Sequence, residues 1–490
     1  MPSSKKTEIT IYSPNYYTYG AMLIGGILKN EFKNGKVNLI NNLNPQNKKI
    51  LSNSNFIIFS LYSTLHILNQ EIKDTINEIK LKSPDTKVFV AGAISAYYEI
   101  ILNEMTNVDA VIVGEGEYTT PNLIKYFQNT EDTKNSKNSK NINLEDFKEF
   151  GGIAYLSKEN IKENIQGENL NKISIQEPKM NNSIELDFSD LLIPKDIEKQ
   201  SIRGANVYIE THRGCLGNCT FCQVPEFFGR DIRSKPLELI LKEVKNLKKH
   251  GVKRIAISGG TGSLYNFKKS SNRNLFIEMI EKVSSMVGSK NLSVPDMRVD
   301  YVDSDILTAV RNNTVGWVFY GIESGSNKLL SDMKKGTNPE KNLNAIKLAK
   351  DCGVKVGGSF IVGYPTEREV DYLMTKDFLV DAELDDVFVS SAEPIPKTRL
   401  CNKVLETKKE DNPTFKSHKG MYGKLNLTES EARCFDLLLH AEMWRSVPRI
   451  PNPQIKKIYL DEAKTQGNDI RNITNLVYEY KDLIYKDFNN

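Results

Sequence analysis

The chain has 490 residues, of which 39% are hydrophobic, and its 66 Lys and Arg nearly balance 62 Asp and Glu for a formal charge of +4. That balance leaves no nucleic-acid footprint, and no run reaches the roughly 20 apolar residues of a membrane span. Six cysteines are too few for a disulfide scaffold and fit a reducing compartment; with no apolar signal region in Met1-Pro-Ser-Ser-Lys-Lys, a cytoplasmic protein is expected.

The length predicts two to four domains, each with its own core. From the start, apolar strand-like runs at 8–11, 37–40, 56–60, 87–91 and 110–113 alternate with stretches such as 21–32 and 65–81, whose apolar spacing suits helices. Short apolar strands with helical crossovers predict an open, doubly wound parallel sheet of Rossmann-like form over residues 1–130. Ligands of such sheets sit beyond the carboxyl ends of the strands. The loops there carry Tyr12, Ser60, Ser63, Thr64, Gly92, Ala93, Gly114, Glu115, Gly116 and Glu117, and small residues let backbone amides approach a ligand closely.

Residues 128–146 are rich in Asn, Lys, Ser and Glu; such a composition cannot bury enough apolar surface to order itself. Residues 131–200 are therefore read as a low-complexity insertion and linker, with a short apolar stretch at 152–156. A second strand–helix series follows over 201–395. Its strands are expected at 205–211, 254–258, 292–299, 315–320, 356–362 and 387–391, with helices at 236–250, 274–287 and 339–352 between them. Six such units make a partial (β/α)6 barrel, whose chemistry belongs at the strand carboxyl ends. Residues 396–490 read as a mixed extension, helical at 428–445.

The first strand of the barrel runs into Arg213-Gly-Cys-Leu-Gly-Asn-Cys-Thr-Phe-Cys222. Cys215, Cys219 and Cys222 form a C-x3-C-x2-C set that offers three thiolates. Iron–sulfur cubanes normally take four, so three leave one iron open to a ligand. The alternative is structural zinc, which wants four tetrahedral ligands; His212 would be the fourth. Cys352, beside Gly353 at a helix end, reads as a small buried hydrophobe, and Cys401 and Cys434 are isolated thiols that leave a second metal site open.

The cysteine set, the aromatic Phe221 before its third member and the strand feeding it resemble the radical S-adenosylmethionine (SAM) superfamily. The resemblance covers residues 200–395. It implies a 4Fe-4S cluster on the three cysteines and SAM on the open iron, near Phe221, Gly259, Gly260, Thr261, Arg298, Asp300 and Glu323, with Tyr364 lining the shared cavity. Thr261 stands where the family has a Glu. Val88-Phe-Val-Ala-Gly-Ala93 and Asp109-Ala-Val-Ile-Val-Gly-Glu-Gly-Glu117 are similar to the cobalamin-binding domain of cobalamin-dependent radical enzymes, which implies cobalamin at the strand-end loops named above. The motif histidine of classical cobalamin domains is missing, and His66 is expected to pack on its helix.

The segment 219–236 also resembles radical methylthiotransferases. Those need a second cluster on three cysteines of the N-terminal domain, and no cysteine precedes Cys215. The resemblance therefore implies C-methylation of an unactivated sp3 carbon, with one SAM as methyl source and a second as radical source. Among such methylases, 222–230, 297–300 and 317–321 look most like archaeal members that modify methyl-coenzyme M reductase. The expected substrate is a glutamine of its alpha subunit, with arginine, a small molecule or a lipid as alternatives. The expected electron donor is a low-potential carrier such as ferredoxin, with no nucleic-acid or membrane partner. No catalytic acid or base is named.

Overall fold

The computed structural model describes residues 7–132, 151–156, 162–163, 169–170, 173–176, 186–188, 190–258, 260–267 and 273–486. It divides into two compact units, one of residues 1–208 with 238–252 and one of 209–237 with 253–490. The division falls a few residues later than the sequence reading places it. The helix after the cysteine segment is counted with the first unit, and residues beyond 396 belong to the second instead of standing apart.

The first unit is built on one sheet. Its parallel strands are β1 (Glu8–Tyr12), β2 (Lys36–Ile40), β3 (Phe56–Ser60), β4 (Lys87–Ala91) and β5 (Ala110–Ile112), in the spatial order β2-β1-β3-β4-β5. Strands such as Phe56-Ile-Ile-Phe59 are buried throughout, as expected where helices cover both faces. Ile9, Ile11, Phe56, Ile58, Phe89 and Ile112 form one core with Leu28 and Leu123 from the flanking helices, each such side chain contributing about 2 kcal/mol by leaving water. The order reverses between β1 and β3, the switch point where this topology opens a crevice at the carboxyl ends.

Two differences from the sequence reading stand out here. The expected linker contains β6 (Ile153–Leu156) and β7 (Ile173–Gln176), which extend the same sheet antiparallel beyond β5, with β7 at the edge. The helix Thr119–Asp132 also runs through the first residues of the expected insertion; positions 133–146 lie outside the described residues.

The second strand series is β8 (Val207–Glu210), β9 (Ile255–Ser258), β10 (Leu292–Ser293), β11 (Asp296–Met297), β12 (Trp317–Glu323), β13 (Lys355–Val362) and β14 (Asp386–Ser391). The expected third strand is broken in two. Its halves belong to separate sheets, β8-β9-β10 and β11-β12-β13-β14, because Pro295 between them has no N–H to give to a ladder. The helices Arg273–Val287, Ser304–Asn313, Pro339–Asp351 and Glu369–Ala382 follow successive strands. Beyond β14 come Arg399–Glu406, Glu429–Trp444 and a 27-residue helix, Pro453–Glu479. Among the described residues, no helix is long and apolar enough to cross a membrane.

Candidate active site

His212 and Arg213 pair antiparallel with Ser234 and Arg233, so the cysteine segment is a loop pinched shut at its base. Gly214 opens it at φ +92°, where a Cβ would stand 2.1 Å from the Asp231 carbonyl oxygen. Only glycine passes there. Further in, the Cys215 N–H donates to the Gly229 carbonyl (3.4 Å) and the Cys222 N–H to the Cys219 carbonyl (3.3 Å).

The position of Gly217 shows where two thiols point. A Cβ on it would lie 3.4 Å from Cys215 Sγ and 3.8 Å from Cys219 Sγ, and its N–H reaches Cys215 Sγ at 3.4 Å. Burial pushes the Cys222 thiol up to about 11, and the neighbouring Cys219 and Cys215 add to the rise. A buried thiol whose ionisation two neighbouring thiols make costlier suits a cation that takes its proton's place, since metal binding releases that proton.

The outer side of the loop is clamped. The Thr220 N–H donates to the Met333 carbonyl and its carbonyl accepts from the Leu400 N–H, both at 2.9 Å. The Thr220 and Tyr364 hydroxyls meet at 2.8 Å, and Arg399 Nη1 donates to Asn218 Oδ1 at 2.8 Å. Leu329, Met333, Tyr364, Ala392 and Leu400 form a buried apolar cluster against which Phe221 packs.

Residues from the ends of β11 and β12, together with Lys335, gather on this side of the loop. Arg298, just past β11, grips Asp300 bidentately (Nε–Oδ1 2.9 Å, Nη2–Oδ2 2.8 Å), while its Nη1 lies 3.9 Å from Cys219 Sγ. Nη2 also donates to the carbonyl of Lys335 at 3.0 Å. Glu323 ends β12 at φ +65° and accepts from Lys335 Nζ at 2.7 Å, and that ammonium stands 5.8 Å from the Phe221 ring. Burial works against the Lys335 charge, but the Glu323 carboxylate and Cys219 outweigh it and raise its pKa. Burial likewise opposes Arg298, and Asp300 together with Cys219 and Cys215 outweighs it.

The structure thus joins Cys215, Cys219, Cys222, Phe221, Arg298, Asp300 and Glu323 in one network. Gly260 borders it, since a Cβ there would meet Val224 at 3.8 Å and the Gly214 carbonyl oxygen at 3.9 Å. Thr261 is buried at the start of a short turn, Gly262–Leu264, and Gly259 lies outside the described residues. Sequence reasoning missed Lys335, Asn218 and Arg399. The one signal for Lys335 was a lysine pair closed by Gly336 shortly after a strand-end motif.

His212 is buried with Nδ1 3.1 Å from the Thr211 hydroxyl. Among the described residues, no three His, Cys, Asp or Glu side chains are grouped as ligands of a single metal ion. Cys352 is half-buried, not fully buried as expected. Cys401 and Cys434 are buried on the helices Arg399–Glu406 and Glu429–Trp444, and burial pushes both thiols up to about 12.

In the first unit the candidate loop residues follow the carboxyl ends of β1, β3, β4 and β5. Ser60 is half-buried at the end of β3, and Ser63 caps the Leu65 N–H at 3.3 Å. The Thr64 and Tyr97 hydroxyls meet at 3.3 Å, and the Gly114 N–H donates to Ser95 Oγ at 3.2 Å. Ala93 opens a short 3-10 turn, Glu117 is buried, Glu115 is half-buried, and the carbonyl of Gly116 accepts from the Thr120 N–H. Two residues take a structural role beyond the expected one. Tyr12 is the buried last residue of β1, edge-on to Phe59 at 5.5 Å, and Gly92 is required because a Cβ would stand 2.3 Å from the Leu61 carbonyl oxygen. His66 accepts from the Tyr62 N–H through Nδ1 and sits edge-on to the Tyr62 ring, and burial lowers its pKa to about 4.

A sequence profile of the radical SAM superfamily matches residues 209–379, which include the cysteine loop and β9 to β13. The chain belongs to that superfamily. It is 60% identical over 480 residues, 98% of both chains, to a protein of Methanocaldococcus jannaschii that carries the provisional name methylthiotransferase. Two solved structures share the fold. One is the radical SAM methyltransferase TsrM from Kitasatospora setae with cobalamin and a [4Fe-4S] cluster bound, at TM-score 0.59 and 15% identity, covering 82% of this chain and 75% of that one. The other is the cobalamin-dependent SAM radical enzyme OxsB with aqua-cobalamin and SAM bound, at TM-score 0.57 and 20% identity, covering 76% of this chain and 52% of that one.

Proposed function

We propose that this chain is a cobalamin-dependent radical SAM C-methyltransferase that acts on an unactivated sp3 carbon of a protein side chain. The substrate the sequence resemblance favours is a glutamine of methyl-coenzyme M reductase. The observation that carries the radical reading is the three-thiol loop, pinched at its base and clamped from outside, with Arg298 Nη1 at 3.9 Å from Cys219 Sγ. Cys215, Cys219 and Cys222 would hold a 4Fe-4S cluster, leaving its fourth corner to SAM. Phe221, Gly260, Thr261, Glu323 and the Arg298–Asp300 pair would border the SAM, and the carboxyl-end loops of β1, β3, β4 and β5 would hold cobalamin. When bound, these groups supply one-electron cleavage of a sulfonium and methyl transfer to carbon.

The chain's own residues supply placement. The Met333, Leu400 and Tyr364 contacts to Thr220 hold the thiols on a fixed loop, which lowers the cost of bringing reactants into register. The apolar cluster below Phe221 keeps water from one wall of the site. In the first unit, His66 Nδ1 accepts from the Tyr62 N–H and its ring stands edge-on to the Tyr62 ring, so packing within its own segment accounts for it.

A second reading, methylthiotransfer, is favoured by the provisional name of the M. jannaschii relative. Sulfur insertion by such enzymes calls for three further cysteines ahead of the loop. Here the remaining three are Cys352, Cys401 and Cys434, on three different helices or helix ends. The deciding experiment is anaerobic reconstitution with iron, sulfide and cobalamin, then reaction with SAM, titanium(III) citrate and peptides from the reductase alpha subunit. Gain of a methyl group with release of 5′-deoxyadenosine supports the proposal, and gain of a methylthio group supports the second reading. A chain that retains neither iron–sulfide absorbance nor corrinoid overturns the first.

A further inference from the structure

Lys335 is a charged side chain that is only 9% exposed. An ammonium is taken from water at a cost of several kcal/mol unless partners hold it. Two features of its surroundings account for it. Glu323 Oε1 accepts from it at 2.7 Å, and a Cβ on Gly321 would stand only 2.6 Å from Nζ, so the strand passes the ammonium where it has no side chain. The pair is therefore built into β12 and not laid over it.

The second ion pair, Arg298–Asp300, is arranged the same way. Arg298 is the inner member, 11% exposed, while Asp300 is 32% exposed; Arg298 Nη1 faces Cys219 and Nη2 ties the pair to the Lys335 backbone. Arg298 thus turns its cation to the thiol, while the Lys335 ammonium stands 5.8 Å from the ring of Phe221, beside Cys222, and its carbonyl is tied to Arg298. An ordinary structural ion pair would have no need of a third, sulfur-bearing partner.

We propose that Lys335 and Arg298 form a cationic collar at Cys219 that makes a cluster held by the three thiolates easier to reduce, with Lys335 acting as a positioning residue through Phe221 and Glu323. The inference rests on the cluster assignment above and deepens it. Adding one electron to the cluster adds one negative charge, and a fixed cation in a low-dielectric wall stabilises the more negative state; net charge and nearby donors are among the established levers on such potentials.

The test uses full-length protein, reconstituted anaerobically without SAM and equilibrated at a fixed ratio of titanium(III) to titanium(IV) citrate. Each titanium(III) gives up one electron and each cluster gains one. The readout is the ratio of reduced to oxidised cluster, taken by electron paramagnetic resonance, with iron per chain as the loading control. Lys335→Met is expected to lower that ratio by about three- to tenfold, Lys335→Arg to restore it, and Glu323→Gln to raise it by removing the compensating anion. That opposition of sign is something a merely structural role would not produce. If Lys335→Met fails to load, Arg298→Gln decides: its partner Asp300 remains partly solvated, and a lowered ratio supports the collar. A loaded Lys335→Met or Arg298→Gln at the wild-type ratio, or a Glu323→Gln that lowers it, overturns the collar and leaves the cluster assignment standing. A wild-type chain that takes up no cluster overturns both.

Discussion

Replacing Gly214 with alanine should disable the cysteine loop without touching a thiol. Two costs combine. An alanine held at φ +92° loses about 1–2 kcal/mol relative to glycine. Its Cβ would also stand 2.1 Å from the Asp231 carbonyl oxygen, 3.0 Å from its carbon and 3.4 Å from the Gly229 carbonyl oxygen. These are backbone atoms, so no side chain can swing aside, and overpacking of this kind costs about 1–3 kcal/mol. The total is about 2–5 kcal/mol. Relief requires Asp231 to retreat, and Gly229, whose carbonyl holds the Cys215 N–H, is two residues away. The loop should therefore lose its register as well as its stability. Gly204→Ala separates the two costs, since Gly204 has φ +87° with nothing within 4 Å of the missing Cβ and should lose only about 1–2 kcal/mol. Urea unfolding of the metal-free protein measures both variants, and iron per chain after anaerobic reconstitution measures the loop. A Gly214→Ala protein that binds wild-type iron and loses no more stability than Gly204→Ala would refute the reasoning.

Two further outcomes follow from buried charge. His66 titrates at about 4 in the fold against 6.5 when unfolded, because burial disfavours its charge. Between these values only the unfolded chain takes up the proton, so wild-type stability should fall as pH drops from 6.5 to about 4, by up to about 3 kcal/mol, and level off below; His66→Phe should flatten that slope in urea titrations across the range, and an unchanged slope would assign it elsewhere. Glu367 is buried with its carboxyl pushed up to about 7, burial outweighing the lowering by Arg433, which donates to it at 3.0 Å. Arg433→Met leaves that carboxylate without its cation and should cost about 3–5 kcal/mol at pH 8, less at pH 6 where Glu367 can take a proton; equal losses at the two pH values would contradict the account.

Much of the fold was legible because its signals are local. A short apolar run such as Phe56-Ile-Ile-Phe59, too brief for a helix of ordinary length, reads as a covered strand, and β3 and β4 begin and end where that reading puts them. The antiparallel β6 and β7 were harder to see: Ile153–Leu156 is short, lies among polar residues, and becomes a strand only because β5 offers it an edge. The helix Pro453–Glu479 could have been found. Asn452 caps it by accepting from the Ile455 N–H at 2.9 Å, Pro453 stands at its first position, and Ala463, Gly467, Ile470, Ile473 and Val477 recur at helical spacing.

By itself the sequence determined the three thiols, since their spacing within one short loop is a property of the chain, and the parallel strands whose carboxyl ends carry the candidate residues. Only the tertiary structure decided what surrounds Cys219. Arg298 and Asp300 were expected near SAM, but their tie to Cys219 and to the Lys335 backbone exists only once β11 and β12 have paired; Asn218 and Arg399 meet across 181 positions. Ligand spacing is written along the chain, whereas the electrostatic field at a ligand sums over groups far apart in sequence, and that sum exists only after the strands have paired.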